Sequence, residues 1–158
     1  MTQRLNVHAK GQGAFKALFG LGAYLAKCSL DKSLLDLVYF RVSQINGCAY
    51  CLDMHSKDLL AMGESIQRLL VMDAWKEAPF YSDRERAALG WAEAVTRLQG
   101  CEVPDAVYDD ASAIFSEEEL VELTMAVIAI NSYNRINIAF RVEAGGYKVG
   151  EHAVEASR

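Results

Sequence analysis

The chain has 158 residues, 52% hydrophobic and 23% charged, with a formal net charge of −5. That length suits one domain with a full core, and the composition is that of an ordinary globular protein. The acidic balance, without a long basic run, argues against nucleic acid or an anionic membrane as the main partner, and apolar stretches such as Met125 to Ile130 are far too short to span a bilayer.

Met1 to Lys10 holds no apolar run, so no secretory signal is expected and the expected home is the cytosol. Apolar residues recur at helical spacing in most windows, period-two alternation is scarce, and only two prolines occur. The expected fold is therefore all-α. A first amphipathic helix is predicted over about Ala14 to Lys27. A second runs from about Lys32 to Gln44, with Asp31 as N-cap and Leu34, Val38, Val42 and Ile45 as its buried stripe. Asn46-Gly47 breaks it. A third starts near Cys48 and stops at Gly63, and a short fourth covers Ser65 to Ala74. After the Pro79 loop, Ser82-Asp83-Arg84-Glu85 has the spacing of a capping box and opens a fifth helix to about Gln99. Gly100 and Pro104 mark a connection, with a short helical turn from Pro104 to Ala111. A second capping box, Ser116 to Glu119, opens the longest helix, which runs to about Val142 with acidic residues in its first turn. Gly145-Gly146 closes a single domain of residues 1–145, and 146–158 read as a poorly packed tail.

There are four cysteines, Cys28, Cys48, Cys51 and Cys101. In a reducing compartment a close pair reads as redox chemistry or metal binding rather than as a structural staple. Cys28 and Cys101 have no partner at useful spacing and read as inert thiols. Cys48, Cys51 and His55 are different. At about 100° per residue they fall within about 60° of one another on one helix face. A free thiol has a pKa near ~8.5, and a helix N-terminus or a neighbouring His lowers it. His55 follows Cys51 by one turn, so Cys51 is its natural nucleophile partner, and Cys48 is placed to condense with an oxidised Cys51. Other readings stay open. Zinc would find three close ligands and need a fourth from His8, His152 or a distant carboxylate. The thiols and the imidazole could also be buried packing groups. A thioredoxin-type site lacks its βαβ context here.

The wider segment Arg41-Val42-Ser43-Gln44-Ile45-Asn46-Gly47-Cys48-Ala49-Tyr50-Cys51-Leu52-Asp53-Met54-His55-Ser56-Lys57-Asp58 closely resembles the core motif of the alkylhydroperoxidase D (AhpD-like) family, within the carboxymuconolactone decarboxylase-like superfamily. The resemblance extends from about Leu5 to Gly145 and includes Asp73-Ala74-Trp75 and Asn134-Arg135. It implies an all-α helical bundle of about six to seven helices and a peroxidase reaction on organic or hydrogen peroxide through a Cys48–Cys51 disulfide. It also implies a homo-oligomer, a trimer or a hexamer built as a trimer of dimers. A dithiol reductant protein would have to reopen the disulfide, and no cofactor or bound metal is expected. In such proteins the second Cys is peroxidatic and the first resolving, which maps onto Cys51 and Cys48. A His four residues later and a Glu twelve before the first Cys form a proton relay, mapping onto His55 and Asp36. Two positions depart from that pattern. Asp36 is one methylene shorter than Glu, and Tyr50 stands where the resemblance leads one to expect a His. By spacing alone Asp36 faces either solvent or a polar pocket between the second and third helices. A slow thiol–disulfide redox sensor or binding module, and a carboxymuconolactone decarboxylase-like enzyme, are the alternatives; the latter chemistry has no need of a dithiol.

Asn131, Asn134 and Arg135 interrupt an apolar helix, either as a hydrogen-bonded seam or as the border of the thiol pocket. Trp75 and Trp91 read as core or interface anchors, and Met54, Met62 and Met72 as packing groups. His8 and His152, near the termini, read as solvated.

Overall fold

The computed structural model describes residues 2–152, the His8 side chain excepted. Among them every regular element is a helix: α1 (Val7–Lys10), α2 (Gln12–Leu25), α3 (Lys32–Asn46), α4 (Ala49–Ala61), α5 (Ile66–Leu70), α6 (Asp83–Arg97), α7 (Asp105–Ser112) and α8 (Glu117–Phe140), with single 3₁₀ turns at Met72–Ala74 and Gln99–Cys101. The central element is α3, which packs on α4, α6 and α8. It is consequently buried nearly all round: Leu34, Leu35, Leu37, Val38, Phe40 and Val42 are in the interior, while Ile45 of the predicted stripe is half-buried. One cluster of side chains joins α3 and α8 to the cysteines; a second joins α3 to the α5 region through Leu37, Leu59, Met72 and Trp75.

Both predicted capping boxes form. Ser82 accepts from the Glu85 amide and Ser116 from the Glu119 amide, with each glutamate reaching back to the cap amide. Each satisfies two otherwise orphaned donors. Asp31 holds the extended conformation of an N-cap before α3 but makes no side-chain capping bond. The break after α3 is a left-handed residue, Gly47 at φ 69°, whose amide donates to Gln44 O while the Cys48 amide donates to Ser43 O. This closure lets the chain reverse within two residues and start α4 with Cys48 as N-cap. The predicted fourth helix breaks at Val71 into α5 and a 3₁₀ turn. The longest helix stops at Phe140, sooner than predicted, because Arg141 takes the left-handed conformation (φ 56°).

Within the expected tail, residues 146–152 are exposed except Tyr147, yet the segment from Gly145 onward is tied to α4. The Gly145 amide, at φ 100°, donates to Asp53 Oδ2 at 3.0 Å. Tyr147 is buried, and its hydroxyl lies 2.9 Å from both Asp58 carboxylate oxygens. Lys57 Nζ donates to Asp53 and to the Gly145 and Tyr147 carbonyls. Charged residues on the outer side of α4 thus strap the chain down, which hydropathy patterning does not register. Residues 153–158 of the expected tail lie outside the described residues. Among the described residues no helix is long and apolar enough to cross a membrane.

Candidate active site

The α3–α4 reversal determines where the thiols lie. Cys48 ends the turn as N-cap, its sulfur accepting from the Cys51 amide at 3.4 Å, and Cys51 begins the first turn of α4. Their Cα atoms are 5.4 Å apart and the two sulfurs form a disulfide, a separation ordinary for such a bond. Both cysteines are buried. They are not equivalent, however. A cavity of about 540 Å³ opens between α2, α3, α4 and α8, and Cys51 lines it while Cys48 does not. Phe15, Phe19, Leu35, Met54 and Ile130 give the cavity an apolar wall; Asp36, Tyr39, Tyr50, His55 and Asn137 are among its polar groups.

His55 sits one turn after Cys51 and is only 6% exposed. Neither of its ring nitrogens makes a hydrogen bond within the described residues. Asp36 Oδ1 approaches His55 Nδ1 at 3.7 Å, too long for a hydrogen bond but close enough for charge stabilisation. The second Asp36 oxygen takes a 2.6 Å bond from Lys32 Nζ. Burial works against the Asp36 carboxylate, yet His55 and Lys32 outweigh it and hold the carboxyl below its usual range. Of the two placements open at the sequence level, Asp36 therefore takes the pocket and not solvent. Its reach is short, as expected of Asp in place of Glu. The Tyr39 ring lies 5.3 Å from the imidazole, and burial, reinforced by Asp36, pushes its phenol far above the ordinary value.

Three contributors escaped sequence reasoning. Asn137 Nδ2 donates to Cys51 Sγ at 3.3 Å; the polar run Asn131, Asn134 continued by one helical turn would have signalled it. Lys32 covers Asp36 from the preceding turn, an i,i+4 relation visible in the sequence. His152 is exposed, as expected, and also meets the Tyr50 hydroxyl at 2.9 Å and lines the same cavity, a contact across 102 residues with no local signal. Asn131, Asn134 and Arg135 form the seam rather than the pocket border. Asn46 donates to both asparagines, Asn134 donates to Ser43, and Arg135 donates to Asn131. Among the described residues no three His, Cys, Asp or Glu side chains gather as a metal-ligand set, and the His8 side chain lies outside those residues.

The flanking motif residues hold this geometry from behind. Arg41, 3% exposed at its side chain, binds Glu93 through Nε and Nη2 (2.9 and 2.6 Å) and Asp73 through Nη1 (2.7 Å). Trp75 Nε1 also donates to Glu93 at 2.9 Å. Burial opposes the Glu93 charge, but the Trp75 and Arg41 hydrogen bonds keep its carboxyl below the usual range. Trp91 anchors α6 to α8 by donating to Thr124.

The profile of the carboxymuconolactone decarboxylase family matches residues 12–94. The uncharacterised protein YdfG of Bacillus subtilis is 38% identical over 139 residues, which is 88% of this chain and 95% of that protein. A crystal structure from Agrobacterium tumefaciens, of a protein of unknown function provisionally assigned to antioxidant defence as AhpD, superimposes with a TM-score of 0.88. It is 39% identical, over 92% of this chain and all of that one. A peroxidase-related protein from Silicibacter shares the fold at a TM-score of 0.77 and 21% identity, over 89% of this chain and 74% of that one.

Proposed function

The chain belongs to the carboxymuconolactone decarboxylase family, and on that premise we propose that it is a CxxC-dependent peroxidase of the alkyl hydroperoxide reductase type, working through Cys51 and Cys48. The observation that carries the reading is the asymmetry of the pair: Cys51 borders the cavity beside His55, and Cys48 lies behind it. A peroxide entering the cavity meets Cys51 first.

In this reading His55 takes the Cys51 proton, and Asp36 stabilises the imidazolium across 3.7 Å. The helix N-terminus and the Asn137 amide favour the resulting thiolate. The thiolate attacks the distal peroxide oxygen; an S–O bond forms as the O–O bond breaks, and Cys51 becomes a sulfenic acid while an alkoxide or hydroxide leaves and is protonated. The Cys48 thiol then attacks the sulfenic sulfur, water departs, and the disulfide closes. A dithiol reductant reopens it by two successive exchanges. The reductant is proposed to be a protein. The proposed assembly is a homo-oligomer, a trimer or a hexamer, supported by the exposed Val121, Ile128 and Ile138 along α8.

Stopped-flow mixing of the reduced protein with hydroperoxide tests the assignment. Cys51→Ser should abolish peroxide consumption. Cys48→Ser should consume one equivalent and hold a sulfenic acid that a dimedone probe captures. Wild-type consumption by Cys51→Ser would overturn the proposal.

A further inference from the structure

Breaking an O–O bond demands two proton transfers, one from the thiol and one to the departing oxygen. His55, buried one turn from Cys51, is suited to the first; a donor in contact with solvent suits the second. A second imidazole faces the same cavity. The strap of residues 145–152 is pinned to α4 by Asp53, Lys57 and Asp58 and ends with His152 against Tyr50, Nε2 to hydroxyl at 2.9 Å. Tyr147 steadies the arrangement twice. Its hydroxyl accepts from the Gly150 amide at 3.1 Å, and its ring lies 5.6 Å from the His152 ring. Tyr50 is half-buried and His152 exposed, so the pair runs from solvent to the cavity that holds Cys51 and His55.

We propose that Tyr50 is the acid that protonates the oxygen leaving the peroxide, and that His152, held by the C-terminal strap, is the positioning residue that returns a proton to it. The proposal rests on the peroxidase reading. As Cys51 sulfur takes the distal oxygen, the bonding pair of the O–O bond departs on the proximal oxygen. That oxygen receives the phenol proton of Tyr50, Tyr50 receives a proton from His152 Nε2, and His152 is reprotonated from water. His55 gives up the thiol proton to water through the cavity, and the sum of the transfers converts thiol and hydroperoxide into sulfenic acid and alcohol. Burial, with Glu151 and Asp53 nearby, pushes the Tyr50 phenol above its ordinary value, so it is a proton-bearing donor at neutral pH.

The test compares leaving groups in full-length, reduced wild type, Tyr50→Phe and His152→Gln, timing Cys51 oxidation in a single turnover. tert-Butyl hydroperoxide expels a strongly basic alkoxide that must be protonated; peracetic acid expels acetate, which need not be. Iodoacetamide alkylation reports the thiolate and its access alone. Both variants should oxidise about 100-fold more slowly with tert-butyl hydroperoxide, the lower end of what general acids contribute, with peracetic acid and iodoacetamide rates close to wild type. Combining the two substitutions should add little, because the groups act in series. Equal slowing with all three reagents would overturn the proposal in favour of cavity shape. Unchanged rates with tert-butyl hydroperoxide would overturn it in favour of His55 or water as donor. If neither oxidant attacks wild-type Cys51 while iodoacetamide does, the peroxidase reading itself falls and takes this step with it.

Discussion

Asn137 and Cys51 meet across the α4–α8 interface, with the Asn137 side-chain amide donating to Cys51 Sγ at 3.3 Å. A hydrogen bond to a charged group contributes about 1.5–3 kcal/mol, and about 1.4 kcal/mol corresponds to one pKa unit. Asn137→Ala should therefore move the pH profile of Cys51 alkylation in the reduced protein upward by about one to two units. A profile superimposable on wild type would mean that the amide contributes nothing to the thiolate.

Asp36 should make stability depend on acid. Its folded pKa is lowered, so its contribution is fully present above the unfolded carboxylate value near ~3.9 and fades as pH falls through the lower folded value. Asp36→Asn should be about 1–3 kcal/mol less stable than wild type at pH 7. Urea denaturation repeated into acid should show that gap narrowing below about pH 4. A gap that stays constant would assign the effect to packing rather than to charge.

The Arg41–Glu93 pair is buried on both sides, with side-chain exposures of 3% and 9%. Removing Arg41 leaves the buried Glu93 carboxylate with the Trp75 hydrogen bond and the longer Arg97 and Lys76 contacts (3.4 and 3.7 Å), so the cost should fall at or below the ~3–5 kcal/mol of a broken buried pair. Arg41→Ala should lower the urea midpoint accordingly. Replacing both residues by apolar ones of similar size should cost less than either single change, since no charge is then stranded. Additive losses would contradict this account.

Tyr147 is the main anchor of the strap, through Asp58 and the Gly150 amide. Tyr147→Phe keeps the ring and removes the hydroxyl. We expect faster limited proteolysis between residues 143 and 150 with little change in the global unfolding midpoint, because local opening and global unfolding are separate events. Digestion at the wild-type rate would show that the Lys57 and Asp53 contacts hold the segment unaided.

Much of the helical frame was legible because its signals are local. Ser82 and Ser116 cap as their spacing predicts, since a capping box closes within four residues. Gly47 ends α3 because a left-handed residue is needed there. Phe140 as the end of α8 was not legible: Arg141 adopts a left-handed conformation that its side chain does not favour, so tertiary context imposed it. The division of the predicted fourth helix at Val71, which keeps a negative φ of −97°, carries no sequence signal either.

By itself the sequence determined the all-helical architecture and the nearness of Cys48, Cys51 and His55, because residues three and four apart along a helix are neighbours whatever the rest of the chain does. It could not place Asp36 in the pocket, join Asn137 to Cys51, or bring His152 to Tyr50. These contacts link residues 19, 86 and 102 positions apart. Each depends on how α3, α8 and the strap pack around α4. Packing is fixed by the burial of whole helix faces, so only the tertiary structure decided which thiol meets the cavity and which groups surround it.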